Sequence, residues 1–207
     1  RIASHTFSPK DLVAGDTVLD FVNTVTARDQ PQPVDWLSSY AAVIDWAGHS
    51  GRFERNTLRR LSLMARKQPG LAEKALDRAR RLREAIHVVV SSRIDARKTP
   101  KSAIDELEGQ WKEACVAARL GLRDGRLEPE HPARSLHLDT LRYVLAMDAV
   151  DAIGEFDVAR LRRCQGSYCG WLFIDTSKAG RRCWCDMATC GNAAKARRHR
   201  GRGRVAD

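Results

Sequence analysis

The chain of 207 residues is 43% hydrophobic and 30% charged, a balance that excludes a disordered or fibrous protein and suits a core-bearing domain with a small appendage. Its net charge of +10 is unevenly placed: twelve Lys and Arg against three Asp lie from Arg160 onward, whereas the first 159 residues carry 24 basic and 23 acidic side chains. A neutral body with a polyanion-binding end is expected; no run approaches the roughly 20 apolar residues of a membrane span and no signal-like N-terminus is seen, so the chain reads as cytoplasmic with no membrane partner.

In chain order, the run from Val18 to Val25 suits a buried helix or a short buried strand, and a helix is favoured. Asp20, Asn23 and Thr24 lie inside that run as candidate lining of a small-molecule pocket, with bonding to their own backbone as the simpler role. Trp36, Tyr40, Val43 and Ala47 predict a short helix, as do Leu58, Leu61 and Ala65. Leu71, Ala75, Ala79, Leu82, Ile86 and Val89 recur at steps of three and four, predicting a long helix that starts after Gln68-Pro69-Gly70 and stops before Thr99-Pro100. Thr99 as cap and Pro100 at the first position open another helix with Ile104, Leu107, Trp111 and Cys115 inward, which makes Cys115 a core thiol. A turn-rich stretch from Gly121 to Pro132 precedes a third long helix with Leu138, Leu141, Leu145, Ala149, Ala152 and Phe156 on one face. The fold class is mainly α: a helical domain over residues 1–158, its long helices in an antiparallel bundle, then a small finger over 159–207 with short strands and a basic helix.

Five of the six cysteines lie between Cys164 and Cys190. Cys164-x4-Cys169 and Cys185-x4-Cys190 form two equal pairs, each able to bend into a knuckle that supplies two thiolates to one tetrahedral zinc. Four soft thiolates close the site, so one structural zinc per chain is expected rather than a catalytic one. Cys183 competes with Cys185, but in an extended segment the two point to opposite sides and only Cys185 keeps the matched spacing. Trp171, Phe173 and Trp184 supply apolar area between the pairs.

After the last cysteine, Gly191-Asn192 reads as a turn and a cap for a helix over Ala193 to Arg200. Lys195, Arg198 and Arg202 share a face, with Arg197 and Arg200 beside them and Arg181 and Arg182 preceding the second knuckle. These seven are the candidate nucleic-acid contacts, His199 is a substitute metal ligand, and the Arg/Gly ending through Arg204 is expected to fray.

The finger, from Cys164-x4-Cys169-Gly170-Trp171-x-Phe173-x-Asp175-x-Ser177 through Arg181-Arg182, Cys185-Asp186-Met187 and Cys190-Gly191-Asn192, resembles the bacterial CGNR zinc fingers. Gly15-Asp16-x-x-Leu19-Asp20-Phe21-Val22-Asn23-Thr24, followed by Trp46 and the helical middle, resembles the ABATE domain that precedes such fingers. The resemblance implies a helical N-terminal domain, zinc held by Cys164, Cys169, Cys185 and Cys190, and a role in stress-linked transcriptional regulation. Two departures stand out: Ala193 replaces the signature's arginine, and Cys183 stands where other residues are usual.

The leading expectation is a DNA-binding regulator whose partner is double-stranded DNA, with the helical domain as sensor of a small-molecule effector or as a homodimerisation unit. An RNA- or protein-binding zinc module is the alternative. An enzyme is not expected, because His87, His131 and His137 show no metal or triad spacing.

Overall fold

The computed structural model describes residues 1–130 and 136–202; His131 and residues 203–207 lie outside them. Described residues form seven helices and three two-stranded antiparallel ladders. The architecture is mainly α, with a helical N-terminal region and a cysteine cluster carrying short strands and a helix at the C-terminal end. Among the described residues, no helix is long and apolar enough to cross a membrane.

Asp16 caps α1 (Thr17–Val22) by accepting the Val18 amide at 2.8 Å, which settles the ambiguous apolar run as a helix for its first part. Its end passes into β1 (Val25–Thr26), which pairs with β2 (Val34–Asp35). Ser39 then caps α2 (Tyr40–Ser50), and Gly51, at a φ of +71°, closes it in the left-handed conformation. Helix α3 (Arg55–Lys67) follows, with Leu58 and Leu61 buried.

The spine is α4 (Pro69–Ile94), which packs against α1, α2, α3, α5 and α6. Alanines 72, 75, 79 and 85 on its buried side let those neighbours approach closely, while Leu82, Ile86 and Val90 fill the space between them. Two details differ from expectation. Pro69 is itself the first helical residue, where its missing N–H costs nothing, and Leu71 is half exposed.

Helix α5 (Lys101–Ala117) starts one residue later than predicted, because Pro100 keeps an extended ψ of 133° and serves as the cap position in place of Thr99. Its inward face is Ala103, Leu107, Gln110 and Ala114. Ile104 faces out, and Cys115 is exposed rather than a core thiol. The physical reason is Arg142 of α6 (Thr140–Glu155), a side chain only 2% exposed that must find acceptors inside. It takes Gln110 Oε1 at 3.1 Å, Glu113 at 2.8 Å and Asp139 at 2.8 Å, and this demand rotates the Gln110 face inward.

The stretch read as turn-rich is a hairpin, β3 (Arg119–Arg123) with β4 (Arg126–Glu130). Asp124 and Gly125 both sit at positive φ, 51° and 76°, as a two-residue turn of the primed type requires. Leu120, Leu122 and Leu127 are exposed on it.

Past α6 the chain forms β5 (Leu161–Arg163) and β6 (Leu172–Ile174), then α7 (Asn192–Arg202). Leu161, Trp171, Leu172 and Phe173 belong to the same continuous core as the body helices. The finger therefore shares its hydrophobic interior with the helical region across the expected boundary near residue 158.

Candidate metal centre and basic helix

The first cysteine pair closes the β5–β6 hairpin. Cys164 follows β5 and bonds its amide to the Trp171 carbonyl at 2.8 Å, while the Cys169 amide turns back onto the Gly166 carbonyl at 3.1 Å. The Gly166 amide points at Cys164 Sγ (3.4 Å), and the Cys185 amide reaches the same sulfur at 3.3 Å. A Cβ on Gly166 would lie 2.9 Å from Cys190 Sγ, so a side chain there has no room.

The second pair comes from the opposite side. Asp186 accepts the Thr189 amide (2.9 Å) and hydroxyl (3.0 Å), folding Met187–Gly191 into a single wide turn that brings Cys190 back towards Cys185. Gly191 is buried, and a Cβ there would meet Met187 Sδ at 2.7 Å. The glycine of the Cys190-Gly191-Asn192 signature thus leaves room for the Met187 side chain to fold over the turn, and any Cβ there would push that side chain aside.

The sulfurs of Cys164, Cys169, Cys185 and Cys190 all lie within 4.8 Å of one another. Tetrahedral zinc at about 2.3 Å from each thiolate sets sulfurs about 3.8 Å apart; Cys169–Cys185 and Cys185–Cys190 measure 3.6 and 3.8 Å. Packed this tightly the thiols titrate as a group: hydrogen bonds from Cys169 and Cys185 draw Cys164 down, the reciprocal bonds push Cys169 and Cys185 up, and burial raises Cys190. Four thiolates at this spacing repel, and a divalent cation at their centre offsets that repulsion. The donor set fits one structural zinc, which would fasten both knuckles to one point. Cys183 stands outside the cluster, half-buried, with its thiol towards the Arg181 carbonyl at 3.5 Å.

The helical body holds this module from below. Asn23 donates to the Leu172 carbonyl at 2.8 Å and accepts the Leu172 amide at 2.9 Å. The Ile174 amide bonds to the Ala14 carbonyl (2.8 Å) and the Ala27 amide to the Cys169 carbonyl (2.8 Å). Arg163, beside Cys164, forms two 3.1 Å contacts with Asp95 at the end of α4. Trp171 meets Trp36 edge to face at 5.6 Å.

The candidate pocket residues Asp20, Asn23 and Thr24 lie among these contacts. All three are buried and their polar atoms are used within the protein: Asp20 accepts the Ala14 amide (2.9 Å), and the Thr24 hydroxyl donates to the Phe21 carbonyl (2.8 Å) and accepts from Arg83 (3.1 Å). They line none of the four described cavities. Burial drives the Asp20 carboxyl up to about 7, with neighbouring Asp16 adding to the rise against the lowering effect of the Ala14 amide.

Asp175 is the other organiser that residue types alone did not reveal. It is buried after β6 and accepts the amides of Ser177 (2.9 Å) and Arg182 (2.8 Å), pinning the loop between the knuckles. The Ser177 hydroxyl first, then the two amides and Arg162, hold its carboxyl down at about 2 despite burial.

Of the seven basic candidates, Arg181, Lys195, Arg197, Arg198 and Arg200 are exposed; the Arg202 and His199 side chains lie outside the described residues. Arg182 differs. Its guanidinium sits 4.6 Å over the Phe173 ring and donates to the carbonyls of Trp184 and Cys185, so it braces the second knuckle.

Residues 15–155 match the family model of the ABATE domain, described as "putative stress-induced transcription regulator", and residues 160–203 match that of the CGNR zinc finger. No curated protein matches the chain.

Proposed function

This chain belongs to the ABATE family and closes with a CGNR zinc finger, and from that premise we propose that it is a zinc-dependent regulator that places α7 on double-stranded DNA. The observation that carries the reading is the start of α7 two residues after the last zinc ligand, with Arg197, Arg198 and Arg200 all turned to solvent. Zinc fastens the helix base, so the arginines are presented on a fixed axis instead of a free tail, and ordering them on phosphates costs less entropy. Arg181, exposed on the loop before Cys185, widens the basic surface.

The protein is read as a binder and not an enzyme, since its clustered thiols are spent on the metal. Residues 1–158 serve as the platform that orients the finger, and the three exposed leucines of the β3–β4 hairpin support a homodimer through this body.

A salt titration tests the DNA reading. Affinity of the full chain for duplex DNA should fall linearly on a log–log scale, by a slope of about 0.9 for each phosphate neutralised. An affinity that is absent at low salt, or independent of salt, refutes it. Binding of single-stranded RNA is the second reading, favoured by Tyr168, whose ring in the first knuckle is 72% exposed and open to base stacking. Stronger competition by single-stranded RNA than by duplex would select it.

A further inference from the structure

A cavity of about 490 Å³ lies where the end of α4 and the segment after it meet the first knuckle of the finger. The body contributes Arg28, His87, Arg97 and Lys98; the finger contributes Arg163 and Gly170, the residues next to Cys164 and Cys169. Four cations thus face one lining acid, Asp29.

Ion pairing within the protein does not use up this charge. Asp95 alone serves two guanidinia, those of Arg97 and Arg163. Glu84 is likewise shared between Arg28 and Arg83. Lys98 meets no acid among the described residues, and Arg28 Nε is buried with no hydrogen-bond partner. The Arg28 charge itself is balanced by Glu84, which its two terminal nitrogens meet at 2.7 and 3.2 Å, so the spare positive charge at the cavity lies chiefly on Arg97, Lys98 and Arg163. His87 registers the same surplus: burial, then the charges of Arg28 and Arg163, hold its imidazole neutral down to about 3 although Glu84 pulls the other way. The volume falls in the range of about 300–1,000 Å³ that suits small-molecule sites.

We propose that this cavity binds a small molecule through an oxyanion, a phosphate or carboxylate group received by Arg28, Arg97, Lys98 and Arg163, and that the bound anion ties the finger to the helical body. Guanidinium forks match the planar or tetrahedral oxygens of either group. A ligand held between the two parts stabilises the docked finger in proportion to the logarithm of its concentration over its Kd. The proposal stands apart from the nucleic-acid reading, because no nucleic acid enters its test.

The test is a thermal titration of the full, zinc-loaded chain with sodium phosphate and with sodium succinate, each against sodium chloride at matched ionic strength. Phosphate also strengthens apolar burial in any protein, so variants supply the control. Lys98→Glu and Arg97→Ala alter the cavity; Lys74→Glu makes the same charge change as Lys98→Glu on the exposed side of α4. We expect a saturable rise in midpoint for wild type and Lys74→Glu, and at least tenfold weaker binding for both cavity variants. The anion that gives the saturable response identifies the ligand group. A rise that does not saturate, or one equal in all four proteins, overturns the proposal.

Discussion

Asn23 grips both backbone groups of Leu172, donating to its carbonyl at 2.8 Å and accepting its amide at 2.9 Å, so that one side chain of the helical body stands in for a third strand beside β6. The contact links the most buried strand of the finger to the end of α1 and places the zinc knuckles against the body core.

Replacing Asn23 by Leu leaves the amide and carbonyl of Leu172 without partners in a dry interior. The expected loss is about 2–4 kcal/mol of folding stability, measured by urea denaturation, with faster amide exchange at Leu172 than in α4. Asn23→Asp should be destabilising as well at neutral pH, because its buried carboxylate still accepts the Leu172 amide but faces the Leu172 carbonyl with no proton to donate.

The Asp20 carboxyl, pushed to about 7 by burial, sets a pH signature. A group whose folded pKa exceeds its unfolded one binds extra protons in the native state, so its contribution is greatest at acid pH and declines as pH rises from about 4 to about 7. At about 1.4 kcal/mol per pH unit this amounts to roughly 3–4 kcal/mol. Chemical denaturation at pH 5 and pH 8 should show wild type losing stability over that interval, and Asp20→Asn losing much less.

Gly166→Ala would place a methyl 2.9 Å from Cys190 Sγ and 3.2 Å from Cys169 Cβ. Overpacking of this kind costs about 1–3 kcal/mol, which at a metal site reads as roughly 5- to 150-fold weaker zinc affinity in a chelator competition.

The arginines separate into two functions. Arg182→Ala removes the brace over Phe173 and should lower thermal stability by about 2 kcal/mol. Arg198→Ala touches no such contact; it should leave stability unchanged and lower the salt slope of duplex binding by about 1. Equal effects of the two on both readouts would contradict the division.

Much of this was legible in the sequence, for identifiable reasons. The equal x4 spacings located the metal cluster, because knuckle geometry leaves little choice of partner thiols. The three- and four-residue steps of Leu82, Ile86, Leu141 and Leu145 located α4 and α6, because burial imposes that period. The α5 face was misread because apolar size misleads where Arg142 demands Gln110 inside, a requirement set by another helix. The hairpin carried a readable signal, Asp124-Gly125 between alternating leucines, which the surrounding polarity obscured. Asn23 and Asp20 stood out as polar residues in an apolar run, but only the position of Leu172, 149 residues further on, shows what Asn23 holds.

Zinc content and duplex affinity measured on the same preparations of wild type, Cys183→Ser and Cys185→Ser test the central claim most directly. Wild type and Cys183→Ser should each hold one zinc and bind duplex alike, while Cys185→Ser loses the metal and the binding together. Loss of zinc in Cys183→Ser with retention in Cys185→Ser, or duplex affinity that survives removal of the metal, would contradict it.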